Sequence, residues 1–442
     1  MASVGIFGAG WVGLVTGVCF AELGHDVIVR DIVPEKVTAL RDGEVPFHET
    51  DVPDLLVRNR ERLRFTLDAA DLAGCRFLFV CVDTPPTKSG DADLSRVWQV
   101  VDDLPELEGR GILVMKSTVP VGTGREVERI LRQTRPDGQF HIASNPEFLR
   151  EGAAIGDFMR PDRVVIGTES ERAREVMRRL YRPLYLIETP MVFTDVATAE
   201  LIKYAANAFL ATKVTFINEI ADLCETLGAD VQDVARGIGL DGRIGRKFLH
   251  AGPGFGGSCF PKDCRALVRT AGEAGAGLAI VETVLRVNDA RKRRMAEKIA
   301  AACGGSLAGK SLAVLGLTFK PNTDDMRDAP SLEILPRLIA AGARIRAFDP
   351  EGMGEAKKLI PELVYCHDAY QAMEGADALI LLTEWNEFRG LDLARVKRLL
   401  ASPLVIDLRN IYQPQEMAAA GLSYLSIGRP ARGAPPELRA LA

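Results

Sequence analysis

The strongest constraint on this fold is the opening run "SVGIFGAGWVG" (Ser3 to Gly13), where a β-prone apolar stretch meets the spacing G-x-G-x-x-G and then a helical pattern. A strand that turns on glycines directly into a helix commits the chain to a βαβ unit. Gly8 allows the tight turn, Gly10 lets a diphosphate approach the backbone, and Gly13 lets helix and strand pack closely. Val12 belongs to the same cofactor-binding turn. The helix N-terminus behind it favours an anion, through its N–H groups and its dipole. The helical spacing of "WVGLVTGVCFAELG" ends on Gly24, and the next strand, "HDVIVRD", ends on Asp31, 18 residues past Gly13. A carboxylate there can accept hydrogen bonds from the ribose hydroxyls of NAD and would repel the extra phosphate of NADP. Arg30 beside it softens that preference.

Further apolar runs closed by turn residues follow: "RFLFVCVDTP" from Arg76, "GILVMKSTVP" from Gly111 and "RVVIGT" from Arg163. Strands alternating with helices predict a parallel sheet covered on both faces. Near Asp195 the pattern becomes helical to Gly228, and a second long helix is expected from Leu278 to about Ala302. After "CGGSLAGK" the alternation returns in "SLAVLGLTF", "ARIRAFDP", "DALILLTEW" and "PLVIDLRN". The order mirrors the first half: strand with glycine turn, strand ending in aspartate, two more strands. The expected fold class is α/β, with two Rossmann-like doubly wound parallel-sheet domains joined by a central all-helical domain. The expected boundaries are 1–195, 196–302 and 303–442. The carboxyl end, "GRPARGAPPELRALA", reads as loose.

Composition narrows the function classes. A net charge of −5 argues against a basic face for nucleic acid, and "RKRR" (Arg291 to Arg294) reads as the solvated face of a helix. No run approaches 18 strongly apolar residues, so no membrane span is expected. The N-terminus enters its first strand without a leader pattern, so no signal peptide is expected either. Eight cysteines without a CxxC pair suit a reducing, cytoplasmic setting. Five scattered histidines give no reason to expect a metal site.

Two clusters could carry chemistry. Lys203 and Asn207 share a helix face, with Asn218 within about 60° of it. They read either as a solvated stripe with a snorkelling lysine or as donors to an oxygen that develops negative charge. In "GFGGSCFPKD" (Gly254 to Asp263), Cys259 is either a packing cysteine or a nucleophile. Oxidation of an aldehyde needs an added nucleophile before hydride can leave, and a thiolate supplies one, giving a thiohemiacetal and then a thioester. Lys203 and Lys262 are the candidate positive neighbours, and Cys264 shows that a cysteine here is not automatically special.

With these motifs assembled, the sequence resembles the UDP-glucose/GDP-mannose dehydrogenase family. The resemblance runs from about Ser3 to Asn410, through "GAGWVG", "CVDTPP", "KSTVPVGT", "SNPEFLREG", "ELIKYAANAFLATKVTFINE", "GFGGSCFPKD" and "GLTFKPNTDDMRDAP". It implies an NAD-dependent four-electron oxidation of a nucleotide sugar, with two NADH formed. The phenylalanine without an added alanine in "GFGGSCFPKD", and Ser258 rather than histidine before the cysteine, look more like the UDP-glucose branch, with UDP-glucuronate as product. The resemblance makes Cys259 the nucleophile and has Lys203 and Asn207 hold the reacting oxygen. Asp263 and Thr118 would orient a water, and Glu147 or Glu151 would activate it. NAD would also touch Lys36, Thr84, Thr118, Glu151, Lys262 and Arg327. The sugar nucleotide would contact Phe148, Leu149, Arg150 and Glu151, then Phe248, Leu249, Gly252 and Gly256, then Lys320 and Arg409, besides Lys203 and Asn207. Arg243 would reach the substrate of a neighbouring subunit in a homodimer built on the long helices. Arg246 and His250 stand where the family varies, and Cys264 reads as packing.

Overall fold

The computed structural model describes residues 2–87, 90–107, 111–135 and 140–430, without the side chains of 185–187. The carboxyl end expected to be loose starts at Gly428, and its first residues are instead held: Arg429 is 3% exposed and donates to the Tyr412 carbonyl at 3.0 Å, while the rest, from 431, lies outside the described residues. The chain packs as two compact units, Met1–Ala206 with Arg265–Ala276, and Asn207–Cys264 with Gly277–Ala442.

Among the described residues the first unit holds eight strands: β1 (Ser3–Phe7), β2 (Asp26–Arg30), β3 (Leu63–Thr66), β4 (Phe77–Val80), β5 (Gly111–Met115), β6 (Phe140–Ser144), β7 (Val164–Gly167) and β8 (Met191–Thr194). They lie in the order β3-β2-β1-β4-β5-β6-β7-β8. The chain reverses direction across the sheet between β1 and β4, the place where open α/β sheets bind ligands beyond the strand ends. Pairing is parallel except between β6 and β7, which meet antiparallel at Ser144 and Gly167. β4 and β5 are buried along their whole length because helices cover both faces, which is why they read as unbroken apolar runs.

The second unit repeats the plan with β9 (Ser311–Leu315), β10 (Arg344–Phe348), β11 (Val364–Tyr365), β12 (Ala378–Leu381), β13 (Leu404–Asp407) and β14 (Ser423–Ser426). Their order, β11-β10-β9-β12-β13-β14, matches the first six strands of the other sheet, and every pairing is parallel. Asp349, just past β10, stands where Asp31 stands past β2. Its Oδ2 accepts the N–H groups of Leu317 (2.6 Å) and Thr318 (3.1 Å) and the Trp385 indole (3.2 Å), while its Oδ1 accepts from Gly352 (2.7 Å). This aspartate is spent on its own loops.

The helical stretch contains Val196–Leu227, which runs from one unit into the other, then Phe260–Glu273 and Ala279–Ala302. The solvated reading of "RKRR" needs correction. Arg293 and Arg294 are exposed, but Arg291 is 1% exposed and Lys292 6%. Arg291 lies on the buried stripe of its helix with Val284, Asn288, Met295 and Ile299, and an ion pair to Asp222 (2.8 Å) makes that burial tolerable. Among the described residues no helix is long and apolar enough to cross a membrane.

Candidate active site

The glycine turn at the end of β1 is built as its spacing predicts. Gly8 has φ +97°, and a Cβ on Gly13 would lie 1.9 Å from the Gly8 carbonyl oxygen, so both glycines are required by the protein itself. Gly10 differs: a Cβ there would meet nothing within 4 Å. The space it keeps open is at the N-terminus of the helix Trp11–Glu22, whose N-cap makes no side-chain hydrogen bond. A diphosphate fits that arrangement. Asp31 is held by the Ala9 N–H (2.7 Å), the Val33 N–H (3.1 Å) and the Lys36 ammonium (3.2 Å), which brings two of the expected cofactor residues together. A third, Thr84, donates to the Thr118 carbonyl at 2.8 Å. Glu49 was not expected. Its buried carboxylate accepts from the Trp11 indole (2.8 Å) and from the N–H groups of Gly152 (2.7 Å) and Ala154 (3.0 Å). It thereby fixes the segment just after Glu151 against the first helix. A lone glutamate in "EVPFHET" carries no local signal of such a role.

Lys203 and Glu147 meet in the same unit. The ammonium donates to Glu147 Oε1 at 2.8 Å, and the side chains are 4% and 5% exposed. Glu147 Oε2 accepts the Leu149 N–H at 2.6 Å. Burial alone would push the Glu147 carboxyl up. Lys203, the Leu149 N–H and the nearby Lys116 outweigh it and hold the group below its ordinary value. Glu147 is therefore ionised at neutral pH, as a general base must be. Phe148 is near two cations, with the Arg163 guanidinium 3.5 Å and the Lys203 ammonium 5.4 Å from its ring centroid. Glu151 and Leu149 are half-buried beside it, whereas Arg150 is exposed and paired with Asp157 at 2.6 Å.

The second unit carries the thiol. Cys259 precedes the helix Phe260–Glu273, and its carbonyl accepts the first helical bond, from the Asp263 N–H (2.8 Å). The sulfur thus sits at the positive end of a helix, a setting that favours a thiolate. Among the described residues it is the one cysteine that is not buried, while Cys264 is 0% exposed and packs in the interior as expected. Asp263, itself 1% exposed, accepts from Asn207 Nδ2 (2.6 Å) and from the Lys262 ammonium (2.7 Å). The two donors of the long helix are therefore each held by a carboxylate, Lys203 by Glu147 and Asn207 by Asp263.

The remaining expected residues of this unit fall in four places. Leu249 and Arg409 line a cavity of about 810 Å³ together with Arg236, Arg246, His250 and Arg389. Gly252 and Gly256 are buried in the loop before the thiol, with Phe248 half-buried at its start and at a φ of 64°. Lys320 lies half-buried over the Phe319 ring at 5.2 Å. Arg327 and Arg243 are exposed and paired with Asp325 (2.8 Å) and Asp241 (2.6 Å).

Comparison with known proteins gives a consistent result over nearly the whole chain. Residues 2–185 match the NAD binding domain of the UDP-glucose/GDP-mannose dehydrogenase family, 197–290 its central domain and 313–414 its UDP binding domain. A UDP-glucose 6-dehydrogenase of Rhizobium meliloti is 56% identical over 96% of this chain and 99% of its own. The UDP-glucose 6-dehydrogenase TuaD of Bacillus subtilis is 46% identical over 99% and 95%. Among solved structures, a UDP-glucose dehydrogenase from Pyrobaculum islandicum superposes with a TM-score of 0.86 at 38% identity, covering 94% of this chain and 96% of that one.

Proposed function

The chain belongs to the UDP-glucose/GDP-mannose dehydrogenase family, and from that premise we propose that it oxidises UDP-glucose to UDP-glucuronate through a thioester on Cys259. It is an NAD-dependent oxidoreductase; NAD, when bound, would supply the hydride acceptor for each oxidation at C6 of the sugar. The observation that carries the thioester reading is the placement of Cys259. It is a thiol with access to solvent, at a helix N-terminus, four residues before a buried aspartate that holds Asn207 and Lys262.

The chain's residues divide the work as follows. The Cys259 thiolate adds to the C6 aldehyde, forming a C–S bond, and a proton passes to the resulting oxyanion. Lys203 and Asn207 stabilise charge on that oxygen in both oxidations. After the second hydride loss the thioester carbonyl is attacked by water. Glu147, ionised in its pair with Lys203, takes the water proton, and Cys259 leaves as thiolate. Glu151 is the alternative base, and Asp263 and Thr118 orient the water. The sum is one alcohol, two NAD⁺ and one water giving one carboxylate, two NADH and three protons. Gly10 and Asp31 would hold the diphosphate and ribose of NAD, with Lys36, which is paired with Asp31, and Thr84, Lys262 and Arg327 as further contacts. Arg409 and Lys320 would reach the sugar nucleotide's phosphates or sugar. A thiol nucleophile also fits the reducing, cytoplasmic setting read from the cysteine usage.

Assembly as a homodimer through the long helix is part of the same reading. Phe209, Phe216 and Leu223, seven residues apart on that helix, are 66%, 49% and 51% exposed. A heptad stripe of large apolar side chains is the pattern of a helix that expects a second helix. Arg243, 90% exposed, is available to reach a partner's substrate. The direct test of the substrate is NADH yield per sugar with UDP-glucose, GDP-mannose and UDP-N-acetylmannosamine. Two NADH per UDP-glucose with acid as product is expected. Preferred turnover of another nucleotide sugar, or one NADH with aldehyde released, would overturn the reading.

A further inference from the structure

The buried half of "RKRR" has a task that packing alone does not explain. We infer that Asn288, Arg291 and Lys292 are positioning residues: they fix the backbone of the glycine-rich loop Gly252–Gly257 and so set where the Cys259 sulfur stands. The inference rests on Cys259 being the nucleophile.

This loop contains no regular structure, yet it is buried from Ala251 to Gly257. Its backbone polar groups must find partners there, and side chains provide them. Asn288 engages both groups of one residue: its Oδ1 accepts the Phe255 N–H at 2.8 Å and its Nδ2 donates to the Phe255 carbonyl at 3.1 Å. Gly252 is held in the same two-sided way, with its N–H on Asn218 Oδ1 (2.8 Å) and its carbonyl on Arg291 Nε (2.6 Å). Arg291 also donates to the Asn218 carbonyl at 3.0 Å, so the clamps on Gly252 brace each other.

The far wall is tied to the same helix face. Lys292 passes Gly254, where a Cβ would come within 3.1 Å of its Cγ, and donates to the Asp328 carbonyl at 2.9 Å. The loop lies against that segment too. A Cβ on Gly256 would be 2.3 Å from the Asp328 oxygen, and the Gly257 N–H donates to the Arg327 carbonyl at 2.7 Å. The loop is thus fixed from both sides, and Cys259 follows two residues on.

Energetics favour a geometric purpose. Burying a guanidinium and an ammonium costs several kcal/mol before their partners offset it, and apolar side chains would fill the same volume with equal stability. What apolar side chains could not do is bond to backbone groups at defined points. Gly254 (φ +119°) and Gly257 (φ +85°) take a conformation that glycine adopts as one of several, so partners outside the loop select it.

The test uses Asn288→Ala, Asn288→Asp and Arg291→Lys in the full-length protein, with three readouts: kcat with UDP-glucose, KM for NAD, and the rate of Cys259 alkylation by iodoacetamide followed on its peptide. A misplaced nucleophile costs up to about 100-fold in rate. We expect kcat to fall by about 10- to 100-fold in Asn288→Ala, with KM for NAD within twofold and alkylation changed by more than twofold. Asn288→Asp keeps the acceptor for the Phe255 N–H and should recover part of the loss, and Arg291→Lys should lie between. Folded variants with kcat and alkylation within twofold of the parent would overturn the inference. So would a lowered melting point with unchanged kcat per folded molecule, which is a structural role only. If Asn288→Ala does not fold, the same criteria apply to Asn288→Asp and Arg291→Lys. Cys259→Ala, run in parallel, separates the premises. Full acid formation by Cys259→Ala removes the nucleophile reading. An inactive Cys259→Ala beside parent-like Asn288 and Arg291 variants removes this inference alone.

Discussion

Replacing Lys203 by methionine should destabilise the protein by an amount that depends on pH through Glu147. The two charges lie 2.8 Å apart with side chains 4% and 5% exposed. At an effective dielectric near 20, that separation corresponds to roughly 6 kcal/mol of gross attraction, most of it offset by the desolvation of both groups. Removing one partner leaves the other buried, at a cost of about 3–5 kcal/mol. Lys116 remains nearby as a second cation, so the low end is expected at pH 8. In the parent, Glu147 titrates below its ordinary value, so its contribution is complete above that value and is lost only as pH falls through its folded pKa. In Lys203→Met, burial is the larger influence left, and Glu147 titrates higher. The variant then loses stability as pH rises, and the gap from the parent widens between pH 5 and pH 8. Glu147→Gln in the Lys203→Met background should restore more than half of the loss. Urea unfolding of the four proteins at both pH values measures all of this. A coupling energy near zero, or a gap that does not change with pH, would refute the reasoning.

Other outcomes follow from the same structure. Glu200 accepts the N–H groups of Gly122 (2.7 Å) and Gly124 (2.8 Å), but burial lifts its carboxyl to about 7. Between its ordinary value near 4.5 and that pH the folded protein keeps a proton that the unfolded chain releases, so stability falls as pH rises through the window, by on the order of 3 kcal/mol. Glu200→Gln should flatten that part of a stability profile measured from pH 4.5 to 8. Gly10→Ala should leave the melting point unchanged, because its Cβ meets open space, yet weaken NAD binding by about tenfold or more, the equivalent of about 1.4 kcal/mol. Gly13→Ala, whose Cβ would strike the Gly8 carbonyl, should cost at least about 1–3 kcal/mol in unfolding. Phe216→Asp, on the exposed heptad stripe, should shift sedimentation from dimer to monomer, and an unchanged dimer would remove that stripe from the interface.

Elements with a long apolar run or a glycine turn were legible in the sequence. β1, β2, β4 and β5 of the first sheet, and β9, β10, β12 and β13 of the second, lie where those runs place them. β3, β8 and β11 escaped because four residues or fewer, partly exposed, carry little periodicity. β6 begins "FH", half-buried, which breaks the apolar signature. In the site, the Lys203 and Asn207 face was readable from helical spacing. Its partners were not, since Glu147 and Asp263 each lie 56 residues away along the chain and only the tertiary fold selects them. Arg291 was misread because its charge outweighed its register. The steps Val284, Asn288, Arg291, Met295, Ile299 trace one face, and a charge on such a stripe signals a buried partner.

The claim at the centre of this account is that the second oxidation requires the Cys259 sulfur. The most direct measurement is the number of NADH formed per UDP-glucose consumed by Cys259→Ala, with product identified by mass, beside the parent enzyme. Two NADH and UDP-glucuronate are expected from the parent, and at most one NADH with no acid from the variant. Two NADH and UDP-glucuronate from Cys259→Ala at the parent's rate would contradict that claim.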